Sequence, residues 1–227
     1  MKTRNNIFNS NIIIKPWGEE YVIGSRKKIF AITYLKIKPG KKTSLHCHSK
    51  KKTGFIILEG KATVQIGIYK KNTFKYNPLS RLVFRPGLFH QIQNKENKNL
   101  YALEFESPYI KNDLIRMNDD YGRSNKRYEG KKYFKSFDKN TIVFKRDFKN
   151  KYYKLNKKNI YLNEIKKNSD IKTKGNKSSI AILDGKIVDK FGQIVIEAGE
   201  IIKSDTLRIL LKKFKVKNKL SIFEISS

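Results

Sequence analysis

The chain has 227 residues, 38% hydrophobic and 12% aromatic, enough for one large or two small domains with a real core. A formal net charge of +31 would suit a nucleic acid or an anionic membrane. However, the lysines are spread evenly over both halves, and Lys, Asn and Ile are abundant throughout, which reads as compositional bias and a solvated surface, with no specific nucleic-acid partner. One cysteine, Cys47, excludes an intramolecular disulfide and suits a reducing compartment. The opening MKTRNNIFNSN has no apolar signal segment and no run is long enough to span a membrane, so a cytoplasmic protein without a membrane partner is expected.

Residues 1–14 read as a polar arm turning apolar at Ile12, Ile13 and Ile14. Lys15-Pro16-Trp17-Gly18-Glu19-Glu20 follows, a turn around the only tryptophan. Strands are expected at residues 21–23, 30–37, 55–58, 62–68, 81–84, 90–93 and 100–105, with Gly, Pro and Asn between them. Tyr109 to Arg116 reads as the start of a short helix capped by Asn112 or Asp113. A basic, weakly patterned stretch then suggests a boundary, giving domains 1–125 and 126–227. The second is expected to hold strands at residues 142–144, 160–162, 180–183, 193–196, 207–214 and 220–225. Ile180-Ala181-Ile182-Leu183-Asp184-Gly185-Lys186 echoes Phe55-Ile56-Ile57-Leu58-Glu59-Gly60-Lys61 at an offset of 125 residues, which places Ile171 and Thr173 opposite His46 and His48. The echo predicts a duplicated barrel in which only the first copy keeps histidines.

All three histidines fall in two short, turn-bounded segments. His46 and His48 alternate in extended chain and so share a face, and His90 follows Pro86-Gly87. Together they form a candidate metal site. Glu104 and Glu106 alternate around Phe105 and share a face on a late strand, which makes them candidate catalytic carboxylates. Lys52 (from the run Lys50-Lys51-Lys52), Thr53, Arg81 and Arg85 are the candidate contacts for an anionic substrate.

Gly40, His46, His48 and Gly60, with Pro86-Gly87-Leu88-Phe89-His90-Gln91-Ile92-Gln93-Asn94, resemble the two motifs of the cupin superfamily of β-barrels. The flanks Lys15-Pro16-Trp17-Gly18-Glu19 and Tyr109 to Arg123, ending Asp119-Asp120-Tyr121-Gly122-Arg123, resemble those of type II mannose-6-phosphate isomerase cupin domains. The resemblance implies an all-β fold of two cupin-type jelly-roll barrels, the second degenerate, and a divalent metal (Zn, Fe, Ni or Mn) on His46, His48 and His90. It implies an isomerase or epimerase acting on a phosphorylated sugar or nucleotide sugar in surface-polysaccharide metabolism. A homodimer that covers exposed strand edges is a further expectation. The sequence departs from the cupin pattern at one ligand, since Thr53 stands where the cupin glutamate belongs. Three neutral imidazoles without a carboxylate also suit an Fe(II)-dependent cupin dioxygenase or a lyase, and the lost ligand suits a non-catalytic sugar-binding cupin.

Overall fold

A computed structural model describes residues 9–123, 130–139, 141–145, 149–171 and 178–227. The boundary expected at residue 125, the first eight residues of the arm and Thr173 lie outside the described residues. In chain order the first half contains β1 (Asn11–Lys15), β2 (Gly18–Arg26), β3 (Phe30–Ile37), β4 (Leu45–Cys47), β5 (Lys52–Glu59), β6 (Ala62–Ile66), β7 (Thr73–Tyr76), β8 (Arg81–Phe84), β9 (His90–Asn94), β10 (Leu100–Ser107) and β11 (Ile115–Asn118). Then follow β12 (Phe134–Ser136), β13 (Lys151–Leu155), β14 (Lys158–Ile165), β15 (Ser179–Val188), β16 (Ile194–Glu197), β17 (Ile201–Lys203), the helix α1 (Ser204–Lys213) and β18 (Lys215–Ser226).

The strands pair antiparallel in three sheets. A seven-stranded sheet runs β12-β1-β2-β3-β10-β5-β8, and a five-stranded sheet runs β11-β4-β9-β6-β7. Their inner faces enclose Trp17, Leu35, Ile37, Phe55, Ile57, Val64, Phe84, Ile92 and Leu100, the interior of a jelly roll. The third sheet runs β13-β14-β18-β15-β16, with β17 also on β15.

This third sheet lies on the back of the seven-stranded one. Ile23, Phe30, Ile32, Ile56, Leu58, Leu103 and Phe105 from the first half share one buried cluster with Leu162, Ala181, Leu183, Phe223 and Ile225 from the second. The rings of Phe105 and Phe223 meet edge to face at 5.0 Å. At the rim, Arg26 pairs with Glu164 and Asp184, both at 2.9 Å. β5 and β10 therefore bury side chains on both faces, which is why FIIL and LYAL read as continuous apolar runs instead of clean alternation. The order is five-stranded sheet, seven-stranded sheet, third sheet, then α1.

The all-β jelly-roll class is as expected, with three local corrections, one being that residues 142–144, expected as a strand, belong to none. Residues 207–214, expected as a strand, lie largely in α1, because Leu207, Leu210 and Leu211 recur at helical spacing and pack on the outer face of the third sheet beside Ile182 and Ile222. Residues 109–116, expected to open a helix, are turn and strand instead, and Asp113 caps a different segment, described below. β7, β11 and β13 are additional strands not expected from the sequence; β7 and β11 are short and mostly exposed. The echoed glycine Gly185 sits at φ +90°, and a Cβ there would stand 1.9 Å from the Lys219 carbonyl oxygen, so only glycine lets β15 and β18 approach at that bulge.

Candidate metal centre

The sheet register gathers the histidines. β4 lies between β9 and β11; His46 is directly opposite His90 on one side and Arg116 on the other, so all three side chains share the inner face. His48, two residues on, returns to that face just beyond the end of β4. Ring centroids are 4.6 Å apart for His46 and His90, 5.2 Å for His46 and His48, and 5.6 Å for His48 and His90. One candidate ligand atom from each lies within 4.8 Å of the other two. Phe84 stacks flat on His90 at 4.2 Å and fixes its ring plane.

Hydrogen bonds fix the tautomers. The Nδ1 atoms of His46 and His90 meet the carbonyl oxygens of Ser44 and Leu88 at 2.8 and 3.1 Å, and Nδ1 of His48 meets that of Asp113. A carbonyl only accepts, so each Nδ1 carries the proton and each Nε2 presents a lone pair. The Nε2 atoms of His48 and His90 are buried without a hydrogen-bond partner. Burial and the neighbouring charges push His48 down to about 3, burial pushes His90 down to about 4, and burial with the neighbouring rings holds His46 well below its usual value. Three neutral, convergent imidazoles, two of them with an orphaned Nε2, fit a divalent transition metal, and each is held through its other ring nitrogen by a backbone carbonyl, as such ligands commonly are.

The cavity beside them measures about 80 Å³. Five cationic residues line it (Lys15, Lys51, Lys111, Arg116 and Arg123), against three carboxylates, Glu20, Glu104 and Glu106. Glu104 and Glu106 both line the cavity, so the face they share by alternation is the interior one. Burial, and then the charge of Glu106, push Glu104 up to about 8, so it holds a proton at neutral pH. Glu106 is buried and its Oε1 is engaged by the Lys51 ammonium. Trp17 closes the cavity among the apolar interior residues.

The candidate substrate contacts divide. Lys52 points away from the cavity and pairs with Glu197 and Glu200, both at 2.9 Å, across the seam between the halves. Arg81 donates to Ser179 Oγ at 3.1 Å on the same seam, and Arg85 is exposed in a turn. Thr53 is fully buried on the inward face of β5, its hydroxyl without a partner. The lysine inside the cavity is Lys51, and strand parity held that signal, because residue 51 shares its face with residue 53 while residue 52 takes the other. Lys15, Glu20 and Lys111 came from flanking segments whose pairing no local pattern encodes; Glu20 binds both lysines at 3.5 Å. Cys47 alternates with its histidine neighbours and is buried, and burial raises its thiol.

The family described as mannose-6-phosphate isomerase C-terminal matches residues 2–120, just over half of the chain. The chain belongs to this family. The match takes in every histidine and all three cavity glutamates of this mannose-6-phosphate isomerase C-terminal domain, and stops short of the third sheet. Among curated relatives, the xanthan biosynthesis protein XanB of Xanthomonas campestris is 29% identical over 120 residues, 49% of this chain and 24% of that protein. The mannose-1-phosphate guanylyltransferase RfbM of Salmonella typhimurium is 27% identical over 123 residues, 53% of this chain and 25% of that protein. The chain thus spans about a quarter of the length of these relatives. Similar solved structures include a cupin-superfamily sugar phosphate isomerase from Silicibacter pomeroyi, at 16% identity and TM-score 0.39 over 45% of this chain and 66% of that one. Another is the capsular polysaccharide assembling protein CapF of Staphylococcus aureus, at 14% identity and TM-score 0.42 over 48% of this chain and 31% of that one.

Proposed function

We propose that this protein is a metal-dependent isomerase or epimerase of a phosphorylated sugar or nucleotide sugar. The observation that carries the reading is the convergence of three neutral imidazoles, two of them with an unpartnered Nε2, on a cavity with more cationic than anionic side chains. His46, His48 and His90 would hold a divalent metal, which when bound supplies Lewis-acid polarisation of a carbonyl or hydroxyl oxygen.

The remaining chemistry belongs to the side chains. A phosphate has two negative charges to balance, and Lys15, Lys111, Arg116 and Arg123 line the wall around the space where it would sit. Isomerisation between an aldose and a ketose moves one proton between adjacent carbons, so it needs a group that both takes and returns that proton near neutral pH. Glu104 suits the task, since its proton is bound with an affinity close to the working pH. Trp17, Leu35 and Ile92 wall off bulk water.

The test is proton NMR of metal-loaded protein with mannose 6-phosphate, fructose 6-phosphate and a panel of other sugar phosphates and nucleotide sugars. We expect interconversion of one pair, with Glu104→Gln reducing turnover by about 10²–10⁴-fold while leaving metal content unchanged. No binding and no conversion across the panel by metal-loaded protein would overturn the reading. The ligand set of three imidazoles with Thr53 at the carboxylate position favours a second reading, Fe(II)-dependent dioxygen chemistry. Oxygen uptake that depends on added Fe(II) in the same assays would select it.

A further inference from the structure

We propose that Glu106 supplies the metal site with the carboxylate that Thr53 cannot, and that Lys51 holds Glu106 in reserve until a cation arrives. This rests on the reading of the three histidines as metal ligands.

Three observations support it. The first is register: Thr53 on β5 is the direct partner of Glu106 on β10, so the two side chains stand side by side on the inward face, about 5 Å apart at Cβ. A glutamate at position 106 has the reach that a threonine at 53 lacks. The second is unmet hydrogen bonding. Glu106 Oε2 is buried without a partner, as are Nε2 of His48 and Nε2 of His90. All three residues line the same cavity, and all three atoms are acceptors, so they cannot satisfy one another; a cation satisfies them together. The third is charge. Lys51 is 3% exposed at its side chain and grips the other Glu106 oxygen. The ammonium is thus a cation built into the neighbourhood of the metal position, and like charge opposes a second cation there. Three neutral ligands leave a divalent ion uncompensated among five cationic side chains, and Glu106, a cavity carboxylate with one oxygen unpartnered, can correct this.

Affinity for metal is therefore set by a competition for Glu106. Titration of the full-length protein with Co(II), read by visible absorption, and with Zn(II), read by competition with a chromophoric chelator, tests it. Glu106→Gln is expected to weaken both metals at least tenfold and to change the Co(II) band intensity, because one ligand is lost. Lys51→Met is expected to tighten both at least tenfold. Thr53→Glu placed in the Glu106→Gln background restores affinity from the neighbouring strand. Because Glu106→Gln leaves a buried ammonium unpaired, the pair Lys51→Met and Lys51→Met/Glu106→Gln gives the same comparison without that charge; the double variant must bind at least tenfold more weakly than Lys51→Met. Wild-type affinity and an unchanged Co(II) spectrum on loss of Glu106 would overturn the proposal while His90→Ala still abolishes binding. If the wild type takes up neither metal, the histidine reading falls and this inference falls with it.

Discussion

Asp113 holds His48 from two directions. Its backbone carbonyl accepts the His48 Nδ1 proton, and its carboxylate accepts the backbone N–H groups of Ser49, Lys50 and Lys51 at 2.8, 2.8 and 3.0 Å. Burial alone would raise this carboxyl, but those donors outweigh it and hold it below its usual value. The segment after β10 thus orients one histidine and shapes the turn that delivers Lys51 to the cavity.

Replacing that carboxylate should disturb the site without unfolding the barrel. Asp113→Ala strips three backbone donors of their shared acceptor, at a cost of about 2–4 kcal/mol, since hydrogen bonds to a charged group are individually worth about 1.5–3 kcal/mol and are not additive. Metal affinity should fall with it, because the turn after His48 is released. Chemical denaturation and metal titration of the variant check both. An unchanged affinity would show that the turn is held by other means.

Phe223 belongs to the second half yet packs on Phe105 and Phe144, within the cluster that backs the seven-stranded sheet. Phe223→Ala should therefore cost about 3–5 kcal/mol and lower the melting temperature of the whole chain in one transition. Calorimetry would show it. Two separated transitions, with the first half melting as in the wild type, would contradict a shared core.

The metal-free protein should be most stable near pH 6.5. Each buried imidazole has a folded pKa below its unfolded 6.5, so its contribution is complete above 6.5 and is lost as pH falls towards about 4 for His90 and about 3 for His48. The slope is about 1.4 kcal/mol per ring per pH unit. Glu104 acts oppositely: its folded value is raised, mainly by burial, to about 8, so its contribution is complete below the unfolded 4.5 and lost as pH rises through 8. Between pH 8 and 6.5 Glu104 governs and acid stabilises; below 6.5 three rings outweigh it and acid destabilises. Glu164 and Asp119 have lowered values and begin to add their losses only as pH falls below their unfolded values of 4.5 and 3.8. Urea unfolding in chelator from pH 8.5 to 4.5 should trace this maximum, and Glu104→Gln should remove its alkaline arm. A profile that rises steadily from pH 5 to 8 would contradict the assignment.

Much of the jelly roll was legible because its evidence is local. Alternation around Phe30 to Ile37, the turns at Gly40 and Gly87, and histidines at residues 46, 48 and 90 mark strands and a shared face without knowledge of what lies opposite. That Glu104 and Glu106 share a face followed from the same period of two, whereas which face it is depended on the fold. What stayed hidden depended on pairing or on layers. Lys52 and Arg81 carry the charge an anion needs, but their faces are fixed by Glu197, Glu200 and Ser179, more than ninety residues away. Asp113 looked like a helix cap because its preference for exposed N–H groups is genuine; the groups it found belong to another strand's turn. α1 was mistaken for a strand because apolar residues 209–211 mask the helical spacing of Leu207 and Leu211.

Metal analysis of protein purified without added metal, followed by Zn(II) titration of the stripped wild type and of His90→Ala, tests the central claim most directly. Three imidazoles with one candidate ligand nitrogen each within 4.8 Å of the other two predict close to one equivalent of bound divalent metal and, at a hundredfold excess over Kd, about 2.7 kcal/mol of added stability, both lost in His90→Ala. Stripped wild-type protein that takes up no Zn(II), and melts at the same temperature with and without it, would contradict the account.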